Sequence, residues 1–179
     1  MSSAVFLDRD GVINPIVMRD GKPGSPRSMD EFRLEPGARA PLQDLRNAGF
    51  RLFVITNQPD IARGWLSLQT LELMNQQVIA HLPVEAIAVC PHDDSDDCRC
   101  RKPRPGMLEQ FAAAGQIELS RSFMVGDTWR DVQAARAAGC IAIILDRNYN
   151  RGDEADYRVA SLSEAAQLII ERVELCTTT

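Results

Sequence analysis

The sequence predicts an α/β fold in which a parallel sheet carries helices on both faces. Three observations support this: short apolar runs alternate with helical periodicity, polar residues follow the apolar runs, and no repeat or linker divides the chain. The 179 residues suffice for one sizeable core, and 45% hydrophobic with 25% charged residues is typical of a globular protein. We therefore expect one domain over residues 1–179.

Five short apolar runs predict the strands: Ala4–Leu7, Arg51–Ile55, Val84–Val89, Ser122–Val125 and Ile141–Leu145. Helices are predicted between and after them, at 37–47 before Gly49, from the N-cap Ser67 to about 81, at 107–114, at 131–138 before Gly139, and at 164 to about 174 behind the N-cap Ser163. In the second helix we expect Leu68, Leu71 and Val78 on the apolar face.

Two segments without periodicity are predicted as loops. Residues 14–36 are rich in proline, glycine and charge, and loops of that length in compact domains usually serve function. This segment leaves the sheet just beyond the first strand, where it is placed to cover a substrate. Residues 148–156 are predicted to form a polar surface loop.

Composition excludes several classes of protein. A net charge of -5 argues against a nucleic-acid binder, although a local cluster of arginine and lysine still suits a phosphorylated small molecule. The sequence begins without a basic segment followed by an apolar one, and it contains no apolar run of membrane-spanning length. We expect a cytosolic protein without a membrane partner.

Polar side chains follow three of the predicted strands, as Asp8 and Asp10, Thr56 and Asn57, and Asp127 with Asp131. Ligands of open parallel sheets bind beyond the carboxyl ends of the strands. Paired carboxylates there bind a divalent cation or act as nucleophile and acid/base.

Simpler interpretations of these strand-end residues stay open. The first pair alone could be an acidic turn, Asp127 an N-cap of the next helix, and the Thr56 hydroxyl a group satisfied by its own backbone.

A cluster of cysteines with one histidine predicts a metal site. Cys90, His92, Cys98 and Cys100 offer three thiolates and one imidazole within eleven positions, a set that suits tetrahedral zinc with no open position. Such a zinc ion is structural, and because Arg101 and Lys102 follow the last ligand, it fixes where these two cations point. Free or buried thiols are the alternative. Cys140 and Cys176 lie outside the cluster.

The order of these motifs resembles that of the haloacid dehalogenase-like phosphatases. Asp8-Arg9-Asp10-Gly11 is similar to the first motif of that superfamily, Thr56 to the second, Lys102 to the third, and Gly126-Asp127 with Asp131 to the fourth. The resemblance implies a Rossmann-like core without a large cap domain and phosphoryl transfer through a phospho-aspartate.

The resemblance also implies roles for these residues. Asp8 attacks phosphorus, and Asp10 acts as acid and base. Thr56 and Lys102 hold the phosphoryl oxygens, and Asp8, the Asp10 carbonyl and Asp127 bind magnesium. Asp131 is expected to orient Lys102 or metal-bound water.

The zinc loop is similar to that of the subgroup containing heptose 1,7-bisphosphate and histidinol-phosphate phosphatases. Asp8–Asn14 and Thr56–Gly64 look more like the heptose enzymes, which implies the 7-phosphate of D-glycero-D-manno-heptose 1,7-bisphosphate as substrate. Histidinol phosphate or another small phosphomonoester is the alternative. Members of the subgroup are often monomers.

Four residues are candidates for binding the substrate. The resemblance implies Arg101 for recognition, with Asn57 and Gln58 lining the pocket. Arg63 is a candidate for the second phosphate on charge grounds, with a solvated loop arginine as the alternative.

The chain departs from the heptose enzymes at Pro59-Asp60, where a small residue and glycine are usual, and at Thr128, where many have lysine. From other classes, a phospho-accepting signalling domain has no use for Asp10 or a zinc loop. A non-catalytic zinc-containing interaction protein would retain its partner after Asp8→Asn, whereas an enzyme would lose turnover.

Overall fold

The computed structural model describes residues 2–177 of the protein, with side chains described through residue 173, so the side chain of Cys176 lies outside this range. The strands are β1 (Ala4–Leu7), β2 (Val17–Arg19), β3 (Lys22–Gly24), β4 (Arg51–Asn57), β5 (Ala86–Cys90), β6 (Phe123–Gly126), β7 (Ile141–Leu145) and β8 (Tyr157–Val159). The helices are α1 (Arg39–Asn47), α2 (Leu68–His81), α3 (Gly106–Gly115), α4 (Trp129–Ala138) and α5 (Leu162–Thr177).

Six strands form one parallel sheet in the order β5-β4-β1-β6-β7-β8. The predicted α/β class is confirmed. The chain first builds outward from β1 through β4 and β5 and then returns to the other side of β1 with β6. The sheet therefore reverses its direction of growth at β1, and such a switch point opens a crevice beyond the strand ends.

Helices cover both faces of the sheet because successive side chains of a buried strand point in opposite directions. In β1, Val5 and Leu7 pack into the core cluster that includes apolar residues of α1, α2 and α5. Ala4 and Phe6 pack into the opposite cluster, with apolar residues of α3 and α4. All four residues of β1 are buried, which explains why the strand is continuously apolar.

The structure differs from the predicted elements at several places. The loop predicted at 14–36 contains the antiparallel hairpin β2–β3, and the edge strand β8 was missed because each of these strands has only three residues. The prediction that Ser163 caps the last helix is wrong, since the Glu164 N–H donates to Ser161 Oγ. Leu68 is also wrong as an apolar-face residue, because it is 67% exposed in the first turn of α2.

The connections that follow β1 and β5 contain no large cap domain within residues 2–177. None of the helices in that range combines the length and the apolar character that a membrane span requires.

Candidate active site

The strand ends predicted to carry chemistry meet in one cleft of about 860 Å³. Because β4, β1 and β6 are adjacent and parallel, the residues that follow them lie at the same edge of the sheet. Asp8, Asp10, Lys102 and Asp127 all line this cleft. Lys102 reaches it from the loop between β5 and α3, so the cleft unites residues from four separate parts of the chain.

The Lys102 ammonium lies between two carboxylates. Its Nζ is 2.8 Å from Asp8 Oδ1 and 2.7 Å from Asp131 Oδ1, and it donates to the Ile55 carbonyl at 3.1 Å. The side chain is 2% exposed, so these pairs act with little screening. Burial lowers and the two carboxylates raise the pKa of Lys102, and the net result is a pKa above its usual value, which keeps the ammonium charged.

Asn57 holds the backbone of Lys102 from both sides. The Lys102 N–H donates to Asn57 Oδ1 at 3.0 Å, and Asn57 Nδ2 donates to the Lys102 carbonyl at 2.9 Å. Asn57 is the last residue of β4, so this amide ties the lysine loop directly to the sheet. Asn57 also lines the cleft, as predicted, but its polar atoms face Lys102.

Asp127 is held by groups that the sequence did not indicate. Its Oδ2 accepts a hydrogen bond from Tyr149 Oη, and its carbonyl accepts one from Asn150 Nδ2 at 2.7 Å. Gly11 lies against the same carboxylate: its φ is +85°, and a Cβ there would stand 2.0 Å from Asp127 Oδ2. The N-cap of α4 is Thr128, so the alternative that Asp127 caps this helix is wrong.

The carboxylates of Asp8, Asp127 and Asp131 approach within 4.8 Å of one another. Burial and then the charges of Asp131 and Asp127 raise the pKa of Asp8 well above its usual value, against the lowering effect of Lys102. Burial and repulsion from Asp131 likewise raise the pKa of Asp127 to about 7. One ammonium does not balance three carboxylates, so this cluster has the excess charge and the oxygen donors that suit a divalent cation.

Asp131 is already engaged by protein groups on both oxygens. Its Oδ1 faces Lys102, while its Oδ2 accepts hydrogen bonds from the Thr128 N–H at 3.0 Å and Thr128 Oγ1 at 2.8 Å. This geometry suits a residue that positions Lys102. Asp8 and Asp127 are then the carboxylates left for a metal.

Asp10 stands beside Asp8 but in a different environment. Asn14 Nδ2 donates to its Oδ1 at 2.8 Å, Ser25 Oγ and Gln58 Nε2 donate to its Oδ2 at 2.8 and 2.7 Å, and the buried Arg9 guanidinium lies 3.2 Å away. Burial raises the pKa of Asp10, but the Arg9 charge and these hydrogen bonds outweigh it and lower the pKa below its usual value. The two aspartates therefore differ in basicity although one residue separates them.

Gln58 and Thr56, both predicted to contact the substrate, are buried and hydrogen-bonded to each other. Gln58 is 0% exposed, and its Nε2 donates both to Asp10 and, at 2.8 Å, to Thr56 Oγ1. The prediction that Gln58 lines the pocket is wrong, because its amide is used inside the protein. The Thr56 hydroxyl is buried as well and bonds to Gln58 rather than to its own backbone.

The four predicted zinc ligands come together in the loop after β5. The sulfur–sulfur distances are 3.5 Å for Cys90–Cys98 and 3.4 Å for Cys98–Cys100, and His92 Nδ1 lies 3.6 and 3.3 Å from the Cys90 and Cys100 sulfurs. A tetrahedron with zinc–sulfur bonds of about 2.3 Å has sulfur–sulfur edges of about 3.8 Å. The ligand atoms thus stand slightly closer together than in a filled site, and their chemistry fits zinc.

The two predicted substrate arginines are both paired. Arg101 Nε lies 2.7 Å from Asp94 Oδ1, and its Nη1 donates to the His92 carbonyl at 3.1 Å, so the zinc loop orients this side chain in the cleft. Arg63 lines the rim of the cleft and pairs with Asp93 at 2.6 Å. Arg63 is an exposed residue of the loop, so binding of the second phosphate and a solvated loop arginine both stay predictions.

Sequence reasoning missed five residues that hold Asp10 and Asp127: Arg9, Asn14, Ser25, Tyr149 and Asn150. For Arg9 and Asn14 a signal existed, since both lie within four residues of Asp10. Ser25, Tyr149 and Asn150 are placed by the tertiary structure alone.

Comparison with known proteins identifies the family of this chain. Residues 27–139 match the sequence model of the haloacid dehalogenase-like hydrolase family. A D-glycero-beta-D-manno-heptose-1,7-bisphosphate 7-phosphatase of Pseudomonas aeruginosa is 37% identical over 148 residues, which are 80% of each chain. The enzyme of the same name from Pasteurella multocida is 33% identical and covers 94% of this chain and 97% of its own.

A solved structure shows the same fold over nearly the whole length. The D,D-heptose 1,7-bisphosphate phosphatase of Bordetella bronchiseptica, complexed with magnesium and phosphate, superposes with a TM-score of 0.81 at 31% identity. The match covers 95% of this chain and 99% of that one. With its parallel sheet, strand-end aspartates and family match over more than half of its length, the chain belongs to the haloacid dehalogenase-like hydrolases.

Proposed function

We propose that this protein is a magnesium-dependent phosphatase that removes the 7-phosphate of D-glycero-D-manno-heptose 1,7-bisphosphate through a phospho-aspartate. The observation that carries the proposal is the cleft in which Asp8, Asp10, Asp127 and Lys102 meet at the strand ends. The relatives named above, which cover 80% or more of this chain at 33–37% identity, support the substrate.

Asp8 is the proposed nucleophile. Its Oδ1 is occupied by Lys102 and by the Arg9 N–H, so its Oδ2 is the oxygen free to attack phosphorus. Attack forms the Asp8 phosphoanhydride and breaks the bond between phosphorus and the sugar oxygen. The Lys102 ammonium, held by Asn57 and Asp131, then lies beside the phosphoryl oxygens and stabilises their charge. Thr56 is proposed to bind the same phosphoryl group.

Asp10 is the proposed acid and base. It gives a proton to the departing sugar oxygen and, in the second half of the reaction, takes one from the water that attacks the aspartyl phosphate. Four neighbouring side chains fix its two oxygens, so the carboxyl group keeps one orientation in both steps. Its lowered pKa favours the basic form that the hydrolytic step needs.

Asp8, Asp127 and the Asp10 carbonyl are proposed to hold magnesium, which when bound neutralises the charge between the phosphate and the carboxylates. Burial and, after it, repulsion between the carboxylates raise the pKa values of Asp8 and Asp127, and the repulsion is the part that such a cation would remove. Asp131 positions Lys102 in this scheme.

Cys90, His92, Cys98 and Cys100 are proposed to bind a structural zinc ion. The support is that their four ligand atoms, three sulfurs and one imidazole nitrogen, lie within 4.8 Å of one another. The site fixes the start of the loop that carries Arg101 and Lys102, and we propose that Arg101 contributes to substrate recognition from there. Asn57 is proposed to border the substrate where it lines the cleft.

The test is phosphate release in the presence of magnesium, with heptose 1,7-bisphosphate, histidinol phosphate and several sugar monophosphates as substrates. We expect kcat/KM for the bisphosphate to exceed that for the other substrates by a hundredfold, which corresponds to about 2.7 kcal/mol of transition-state stabilisation. Phosphorus NMR of the product identifies which phosphate leaves. Asp8→Asn should abolish turnover, and Asp20→Asn, at an exposed aspartate on the same cleft, is the matched control.

A higher kcat/KM for histidinol phosphate would leave the proposed mechanism in place and overturn the proposed substrate. Asp60 and Thr128 would then be the first positions to exchange. Turnover that survives in Asp8→Asn would overturn the phospho-aspartate.

We further propose that the chain acts as a single-domain monomer in the cytosol. Its cluster of thiols, suited to metal, belongs in a reducing compartment. Sedimentation of the purified protein, with a dimer as the contrary result, tests the oligomeric state.

A further inference from the structure

A second group of side chains lines the cleft and, within the described residues, bonds to neither Asp8 nor Lys102. We call Arg27, Asp60, Arg63 and Trp65 the rim cluster. The buried Asp60 carboxylate lies 2.7 Å from Arg27 Nε and 3.4 Å from Arg63 Nη1. Both guanidinium groups lie over the Trp65 ring, at 4.2 Å for Arg27 and 5.5 Å for Arg63. All four residues line the cleft.

The two arginines differ in what they have left to donate. Arg63 uses Nε and Nη2 on the two oxygens of Asp93 and Nη1 on Asp60. Arg27 uses only Nε, so its Nη1 and Nη2 have no protein partner among the described residues. Arg27 is also 33% exposed, which leaves these groups accessible from the cleft. The pair of free N–H groups matches the oxygens of a phosphate.

Other cations of the cleft lack this combination. Lys22 and Arg130 form no ion pair within 4.0 Å among the described residues, and Arg19 and Arg101, which pair with Glu31 and Asp94, lie over no aromatic ring in that range. A flexible side chain that binds an anion loses conformational entropy, and this loss weakens the binding. Arg27 is already ordered by an ion pair and an aromatic ring, so its cost of ordering is smaller.

The rim cluster is linked to Asp10 through two short stretches of chain. Ser25 and Gln58 both donate hydrogen bonds to Asp10. Arg27 lies two residues after Ser25 and Asp60 lies two residues after Gln58. These two residues form an ion pair. Two residues of chain span at most about 7 Å, so Arg27 is tethered close to Asp10 without contacting Asp8 or Lys102. It is therefore placed for a part of the substrate other than the reacting phosphate.

We propose that Arg27, oriented by Asp60 and Trp65, binds the second, non-reacting phosphate of a bisphosphate substrate. This inference rests on the proposed function and names the residue that makes the enzyme prefer two phosphates over one. It also gives Asp60 a role, because its carboxylate holds the Arg27 guanidinium in the cleft.

The experiment compares kcat/KM for heptose 1,7-bisphosphate with kcat/KM for heptose 7-phosphate, which lacks the second phosphate. We expect Arg27→Gln to lose at least tenfold more kcat/KM for the bisphosphate than for the monophosphate. The difference should arise from a higher KM for the bisphosphate. The ratio of the two kcat/KM values for Arg27→Lys should lie between those of the wild type and Arg27→Gln, because lysine keeps the positive charge but lacks the paired N–H groups of the guanidinium. Lys22→Gln, which removes another cation of the same cleft, should change the ratio less than threefold.

Asp60→Asn is the second variant, because it cuts the ion pair without changing side-chain size. We expect it to shift the same ratio by threefold or more in the same direction. Thermal unfolding of each variant reports whether it folds.

The outcomes separate the two proposals. A wild-type enzyme that hydrolyses the monophosphate at least as well as the bisphosphate overturns the proposed substrate and with it this binding site. A wild-type preference for the bisphosphate that Arg27→Gln leaves unchanged overturns the Arg27 site alone. Equal losses on both substrates would also overturn it, because they would mark Arg27 as a structural residue.

Discussion

Replacing Asn57 by alanine tests how Lys102 is held. The change removes the hydrogen bonds at 3.0 and 2.9 Å that fix the Lys102 N–H and carbonyl. Each such bond contributes about 0.5–1.5 kcal/mol, so we expect Asn57→Ala to lower the free energy of unfolding by about 1–3 kcal/mol. For a domain of this size that corresponds to a Tm lower by about 2–12 °C.

The effect on turnover follows from the same contact. Lys102 Nζ bridges Asp8 and Asp131 only while its backbone stays at the end of β4, so we expect Asn57→Ala to reduce kcat by tenfold or more. The matched control is Gln43→Ala, which removes an exposed amide hydrogen bond to Asn47. It should change stability by less than about 0.5 kcal/mol and leave kcat unaltered.

A double-mutant cycle with Lys102→Ala decides whether Asn57 acts through the lysine. If it does, adding Asn57→Ala to the Lys102→Ala enzyme costs little further activity. Losses in kcat that multiply independently would refute the reasoning, and so would an Asn57→Ala enzyme with wild-type kcat and Tm.

Three further predictions concern the metals. Gly11→Ala should weaken magnesium binding by tenfold or more in calorimetry, because the new Cβ displaces Asp127. Gly49→Ala is the control: its φ of +90° imposes similar backbone strain, but its Cβ would lie in open space, so magnesium binding should not change. Magnesium at a hundred times its Kd should raise the Tm by about 5–11 °C, from about 2.7 kcal/mol of binding, and an unchanged Tm at matched ionic strength would speak against the site. Cys98→Ser should lose zinc, stability and activity, whereas Cys140→Ala keeps the zinc; full activity in zinc-free Cys98→Ser would show that the metal does not organise Arg101 and Lys102.

The strand ends were the predictable part of this molecule. Asp8 and Asp127 meet in one cleft as expected, because parallel neighbouring strands place their carboxyl ends together whatever the details of packing. The zinc ligands meet for a similar reason, since eleven consecutive positions restrict how far their side chains can separate.

The direction of individual side chains was not predictable. Gln58 follows Asn57 directly, yet one amide is buried behind Asp10 and the other clamps Lys102. A local pattern does not distinguish the lining of a pocket from the layer behind it, because that depends on which distant groups need a donor. The strands β2, β3 and β8 were missed since three residues carry too little periodicity.

The loop after β7 sets a limit on how this chain can be divided. The family match ends at residue 139, and a fragment ending at Leu145 would still contain every motif residue from Asp8 to Asp131. It would lack Tyr149 and Asn150, which hold the side chain and the carbonyl of Asp127. A functional boundary for truncated, split or fused forms of the protein therefore lies beyond residue 150, outside the segment by which its family is identified.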